Sequence, residues 1–361
     1  MHATVQKTGD RKVFVGLSGG VDSSVTAKRL LDAGYDVTGV FIKTWHPDFL
    51  FCTEEQERND AMRVAAHLGI PFLTCDAVDA YKHEVADYMI QEYTEGRTPN
   101  PDVMCNKSVK FGVFLKFALL HGASHIATGH YARVEEHGEK FHLYRGKDSN
   151  KDQSYFLWTL SQEQLSHTLF PVGDTAKPKI RKEAEVAELP TFAKSDSQGI
   201  CFLGQVDINE FLSHYVTVSR GDVLDEAGNC IGTHDGALFY TMGQRQGYTI
   251  KTTGTESVPH YVVGKDIAKN TITVATSLKE VSGETIKLSN LNIIQGTLPT
   301  TCEAQFRYRQ KPFKVQIKID ENGYGMLTLL DKNIELPSLG QSCVLYENDE
   351  CLGGGIIHDI V

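Results

Sequence analysis

Up to about residue 205 the chain alternates short apolar runs with stretches whose apolar residues return every three or four positions. The runs KVFVGL, DVTGVFI, PFLTC and SHIATGH predict strands. The stretches between them predict helices over about 22–33 and 54–68, a long one ending near Tyr93, and another over about 107–121. The strands are rich in Val and Ile and lack clean alternation, as expected of a parallel sheet covered on both faces. Such sheets bind ligands beyond the carboxyl ends of their strands. From about residue 215 the rhythm changes. Alternating apolar segments are now separated by polar or glycine-bearing breaks, DEAGN, AKNT, ENGYG and YENDE, the pattern of antiparallel hairpins.

These patterns predict an α/β domain with a parallel sheet at 1–205, a small glycine-rich central domain at 206–268 and an antiparallel β-barrel or sandwich at 269–361. A length of 361 residues agrees with two or three cores. Hydrophobic content of 41% and charged content of 23% are those of a soluble globular protein. The polar start and the lack of any run of about 18 apolar residues predict a cytoplasmic protein with no membrane partner. Eight cysteines without a single C-x-x-C pair argue against a disulfide framework, a zinc ribbon or a clustered iron–sulfur site, and no metal-ligand set is expected. A net charge of −10 opposes polyanions at long range, so nucleic-acid binding has to rest on the local field.

Candidate chemistry begins where the first strand ends. In KVFVGLSGGVDSSV, Ser18-Gly19-Gly20 leads into Asp22-Ser23-Ser24 at a helix start. Glycines admit an anion close to the backbone, and the free amides of a helix N-terminus attract it. A Walker loop would supply a lysine for the outer phosphates; here that position is acidic. The hydroxyls of Ser18 and Ser23, backbone amides and a magnesium ion near Asp22 are therefore the expected substitutes. Two cysteines stand out. Cys105 lies in a proline-punctuated loop before a helix with Lys107 and Lys110 close by, a setting that lowers a thiol pKa; Cys201 lies in GICFLG, where burial as a small hydrophobe is the plainer explanation. Cys75, Cys302 and Cys343 fall in strand-like segments, and Cys52, Cys230 and Cys351 near turns.

The string strand-SGGxDS-helix resembles the PP-loop ATP pyrophosphatase superfamily, which cuts ATP at the α phosphate. Taken in order, SGGVDSS, GRTPNPDVMCN, ATGHYAR, SNKDQSYFL, DSQGICF, TMGQRQG, RYRQ and CLGGGII are similar to the tRNA-specific 2-thiouridylases over nearly the whole chain. The resemblance implies a PP-loop domain, a central domain and a C-terminal β-barrel, and thiolation of uridine 34 in the tRNAs for lysine, glutamate and glutamine. It implies that Gly16, Leu17, Ser18, Gly19, Gly20, Val21, Asp22 and Ser23 bind ATP, with Ile42 and Gly129 lining the adenosine pocket. Cys201 would carry the incoming persulfide and Cys105 would be the partner nucleophile, the two ending as a disulfide. Asn100, Pro101 and Asp102 would meet the target base; His130, Lys151, Asp152, Gln153, Arg307, Tyr308 and Gln341 would contact the tRNA. ATP, magnesium with pyrophosphate, tRNA and a sulfur-carrier or cysteine desulfurase relay are the implied cofactors and partners. Ile42 stands where many members have methionine, a volume-conserving change.

Two basic clusters bear on how an acidic chain holds RNA. If FRYRQKPFK is a strand, Arg307, Arg309 and Lys311 project from one face with Tyr308 opposite, and Pro312 marks an edge. KPKIRK, 177–182, is a second cluster. By charge alone both read as solvated faces; the resemblance favours a phosphate rail and a splayed uridine. Two other functions fit parts of the pattern: a PP-loop ligase joining an adenylated carboxylate to an amine, which needs no cysteine, and a nucleotide-sensing RNA-binding module without turnover.

Overall fold

The computed structural model describes residues 11–50, 54–196, 208–251, 258–278, 280–281 and 284–361. Among these, the first part is built on a parallel sheet of five strands: β1 (Lys12–Gly16), β2 (Asp36–Lys43), β3 (Phe72–Asp76), β4 (His125–Ala127) and, beyond a hairpin, β7 (Thr168–Leu169). Their order is β3-β2-β1-β4-β7. The six inner residues of β2 are all buried, so helices cover both faces and no polar alternation survives. Helix α1 (Val21–Asp32) follows β1 and stops at Ala33, after which Gly34 turns the chain with φ +81°. Helix α2 (Glu54–Leu68) follows β2 and buries Ala61, Val64 and Ala65 against the same sheet.

The hairpin β5 (Ala132–His137) and β6 (Lys140–Arg145) leaves this sheet altogether. It adds to the C-terminal barrel instead, where Leu143 and Tyr144 pair with Cys351 and Glu350. Nothing in the strand pattern told which sheet these residues would join.

A middle sheet contains β8 (Gly221–Leu224), β9 (Cys230–His234), β10 (Tyr248–Ile250), β11 (Tyr261–Asp266) and β12 (Thr271–Ala275), ordered β10-β9-β8-β12-β11. It runs past position 268 to include β12. A short pair joins β13 (Glu280–Val281) to β18 (Ile334–Glu335). The barrel is made of β14 (Thr285–Ile293), β15 (Thr301–Gln305), β16 (Phe313–Ile319), β17 (Gly325–Leu329), β19 (Ser342–Glu347) and β20 (Glu350–Ile360). It closes through β14 with β20. Inward residues such as Phe313, Val315 and Ile317 alternate with outward ones along β16, which is the period a closed sheet needs. The turns expected at DEAGN, AKNT, ENGYG and YENDE lie between consecutive strands.

One expectation fails here. FRYRQKP is a turn between β15 and β16, with strand geometry resuming only at Phe313. Arg309 adopts φ +64° and Gln310 Oε1 accepts from the N–H groups of Phe306 and Arg307, so Arg307, Arg309 and Lys311 do not form one face.

Candidate functional site

The carboxyl edge of the parallel sheet gathers three separated segments. Leu17 continues β1 by donating its N–H to the Val40 carbonyl at 2.8 Å, and the loop then turns through Gly19 at φ +68°. A Cβ on Gly19 would stand 2.7 Å from Cβ of Asp60 and 2.9 Å from the Glu57 carbonyl, so glycine is needed for both conformation and space. Gly20 precedes α1; Ser24 Oγ donates to its carbonyl at 2.8 Å, and Ser23 Oγ at 3.1 Å. The Ser18 and Ser23 hydroxyls lie 3.3 Å apart. Gly129, just beyond β4, packs on the same helix start: a Cβ there would be 2.9 Å from Ser23 N. Ile42 Cδ1 and Phe114 Cε1 flank Gly16 within 3.7 Å of where its Cβ would lie. Gly16–Ser23, Ile42 and Gly129 thus meet at one sheet edge, beside the N-terminus of α1.

The sequence showed no lysine beside this loop. The fold brings one from 155 positions away. Lys177 is buried, 7% exposed, and its Nζ donates to Asp22 Oδ1 and Oδ2 at 2.7 and 2.8 Å. Tyr131 Oη donates to Asp22 Oδ1 at 2.7 Å. Burial and then the Asp22 charge push the Tyr131 phenol far above its ordinary pKa, so it remains a donor. Lys177 also meets Asp196 Oδ1 at 2.8 Å, and Asp196 in turn binds Lys151 at 2.5 Å and Arg181 at 2.5 Å. Burial alone would raise the Asp196 pKa, but Lys151 and Lys177 hold it well below the usual carboxylate range. Lys194 closes the other side on Asp60 at 2.9 Å. KPKIRK is therefore not simply a solvated basic face: Lys177 and Arg181 turn toward the loop, while Lys179 and Lys182 stay exposed.

Cys105 is not in a loop before a helix. The helix begins at Pro101, capped by Asn100 Oδ1 accepting from Val103 N at 3.3 Å, and Cys105 lies one turn inside, where Pro101–Met104 passes into the wider turns of Cys105–Val113. Proline suits a first helical position, so the prolines that read as loop punctuation mark a start. Cys105 is buried in the same apolar cluster as Ile42, Phe111 and Phe114. Asp102 shares its side of the helix, three residues apart.

The loop before this helix is a junction of all three parts. Thr98 N donates to Leu339 O of the barrel at 2.8 Å, and Thr98 Oγ1 is 3.2 Å from Thr241 Oγ1 of the TMGQRQG segment. Gly96, at φ +79°, lies against Ile267, and Gly340 lies against Arg97 and Thr98. Arg307 ties the same segment to the barrel, donating to Met242 O at 3.0 Å and to Glu335 Oε2 at 2.8 Å.

The remaining expected residues occupy varied settings. Asp152 is buried and accepts from Arg145 Nη1, the N–H groups of Gly146 and Ser154, and Ser154 Oγ. Gln153 Oε1 accepts from Tyr131 N at 3.0 Å, which fixes the strand entering β5. His130 is buried between Phe111 and Phe170 with Nδ1 2.8 Å from Thr128 Oγ1; burial, then the Lys110 charge, push its pKa well down, so the ring is neutral. Tyr308 packs on Phe156 at 4.6 Å between ring centres. Gln341 Oε1 is buried without a hydrogen-bond partner. Cys201 and Cys52 lie outside the described residues. Cys75, Cys302, Cys343 and Cys351 are buried in strands, where burial lifts the Cys75 thiol to about 11 and those of Cys302 and Cys351 to about 12. Cys351 is thus a core residue of β20, although its sequence position suggested a turn.

Among the described residues no group of three or more His, Cys, Asp or Glu side chains is arranged to hold a metal ion. Asp22 is engaged by Lys177 and Tyr131. No described helix is long and apolar enough to cross a membrane.

Comparison with known proteins agrees with this organisation. Residues 11–205 match the family described as tRNA methyl transferase HUP domain, 209–276 the tRNA methyl transferase PRC-barrel domain, and 283–357 the aminomethyltransferase beta-barrel domain. The full-length relatives carry a different chemical name. The tRNA-specific 2-thiouridylase MnmA of Bacillus pumilus is 42% identical over 360 residues, covering 97% of this chain and 96% of its own. That of Shouchella clausii is 43% identical over 363 residues, covering 99% of each, and that of Nitrosococcus oceani 43% over 354, covering 96% of each. Similarity of this depth across all three parts, rather than within one domain, decides between the two names: the chain belongs to the tRNA-specific 2-thiouridylase family.

Proposed function

We propose that this chain is an ATP-dependent tRNA sulfurtransferase that makes 2-thiouridine at position 34 of the tRNAs for lysine, glutamate and glutamine. The observation that carries the reading is the joint placement, at one sheet edge, of the glycine loop Gly16–Ser23, Ile42 and Gly129 beside the helix that bears Cys105. The loop cradles the β and γ phosphates, and Ile42 and Gly129 line the adenosine pocket. Magnesium, arriving with the nucleotide, is part of the substrate.

In this mechanism uridine O2 attacks the α phosphorus, N3 releases its proton, and the bond to pyrophosphate breaks. The uracil carbonyl oxygen now leaves readily as part of AMP. The terminal sulfur of a Cys201 persulfide attacks C2 and AMP departs. Cys105 thiolate then attacks Sγ of Cys201, so that the outer sulfur stays on C2 and a Cys105–Cys201 disulfide forms. Two electrons from an external thiol reduce that disulfide, and a sulfur-carrier or cysteine desulfurase relay reloads Cys201.

Asn100, Pro101 and Asp102 receive the splayed uridine at the helix start. For the tRNA body, Arg307, Tyr308 and Gln341 are the contacts, whereas Lys151 is turned onto Asp196. Asp152 and His130 are buried and fix the segments around them, while Gln153 is partly exposed and holds Tyr131 N.

Cys105→Ser and Cys201→Ser each abolish thiolation, read by nucleoside mass spectrometry, while calorimetric ATP binding persists. Full thiolation by Cys201→Ser removes that residue from the mechanism. Pyrophosphate release that depends on a small carboxylic acid rather than on tRNA favours the ligase alternative.

A further inference from the structure

Beside the phosphate loop, one carboxylate collects three cations. Asp196 is held by Lys151 Nζ at 2.5 Å, Arg181 Nη2 at 2.5 Å and Lys177 Nζ at 2.8 Å. We propose that Lys151, Lys177 and Arg181 form a binding site for the pyrophosphate portion of a nucleoside triphosphate, and that Asp196 fills this site with its own carboxylate until the nucleotide displaces it. The inference rests on the nucleotide reading above and names a subsite within it.

Four features support the assignment. Lysine and arginine converging on carboxylate oxygens at these distances make the charge-assisted hydrogen bonds that phosphate oxygens also accept. Lys177 simultaneously grips Asp22 in the first turn of α1, so the cluster lies at the positive end of that helix and not elsewhere on the surface. Lys151, Lys177 and Arg181 against Asp22 and Asp196 leave one positive charge over, before the helix dipole is counted. A polyanion taking the place of a single carboxylate is therefore favoured electrostatically. Finally, the partners of Asp196 among the described residues are long side chains, and its own side chain is 27% exposed, so it exchanges without breaking a strand or helix bond.

The arrangement also answers the missing Walker lysine. A cation does serve the terminal phosphates, contributed by the N-terminus of the Lys177–Val186 helix instead of by the loop.

Isothermal titration of inorganic pyrophosphate and, separately, of adenosine into the full chain tests the proposal. Asp196→Asn removes the competing charge and binds pyrophosphate about tenfold tighter, within the 5- to 150-fold range of ordinary coupling between sites. Lys151→Met, at a half-buried position outside helix and strand, weakens pyrophosphate binding several-fold. Adenosine affinity stays the same in both. Pyrophosphate binding no tighter in a folded Asp196→Asn protein overturns the proposal, as does Lys151→Met binding as tightly as the unsubstituted chain. If Asp196→Asn does not fold, the Lys151→Met titration decides alone. Adenosine binding without pyrophosphate binding in the unsubstituted chain defeats this inference only; binding of neither defeats the nucleotide reading itself.

Discussion

Two aspartates, Asp152 and Asp196, each sit among basic side chains near the first sheet, yet they are held in different ways. Asp152 takes its hydrogen bonds from two backbone N–H groups, a serine hydroxyl and Arg145. Arg145 in turn lies 3.5 Å over the Tyr346 ring and donates to Gln305 of the barrel. Asp196 is held by the flexible ends of Lys151, Lys177 and Arg181. Backbone donors cannot swing away, so the first carboxylate is a fixed joint between domains. Side-chain donors can be shared with an incoming anion, so the second is exchangeable. The identity of the donor, more than the number of contacts, separates structure from function here.

Substitutions should split along the same line. Asp152→Ala strands Arg145 in a buried setting and should cost about 3–5 kcal/mol in urea unfolding, with pyrophosphate affinity unchanged per folded molecule. A loss near zero would dissolve the contrast. Ser154→Ala removes a hydroxyl that donates to Asp152 and approaches Tyr346 Oη at 3.2 Å, and should cost about 1 kcal/mol by the same measurement. Asp196→Asn should cost less than about 1 kcal/mol, because its partly exposed pairs are screened by solvent. Its contribution has a defined pH sign. The folded pKa lies below the unfolded value near 3.9, so the stabilisation is complete above that value and fades as pH falls through the folded one. The stability gap between the unsubstituted chain and Asp196→Asn should therefore narrow as urea unfolding is repeated from pH 5 down to pH 3.

Much of the scaffold was legible because its signals are local. β1 and β2 are buried on both faces and read as apolar runs; the barrel turns carry Asp, Asn and Gly where their backbone needs them. The glycine loop was legible for the same reason. Lys177 was not, because KPKIRK looks like any exposed basic run until the helix packs against α1 and turns one lysine inward. FRYRQKPFK misled because alternating charges resemble a strand, while the left-handed Arg309 and the Gln310 side-chain bonds that make it a turn leave no mark in hydropathy. Cys105 reads as a loop residue because Pro99 and Pro101 together resemble loop punctuation, although Pro101 opens the helix.

The hairpin shared between the first sheet's chain and the barrel limits how the protein can be taken apart. Cut before the barrel, the N-terminal half would present Lys140–Arg145 as a bare edge whose amides and carbonyls invite any extended strand nearby, including another copy. Such a fragment should form intermolecular β-contacts and precipitate where the intact chain stays dispersed, which makes the barrel a guardian of solubility for the half that holds the nucleotide.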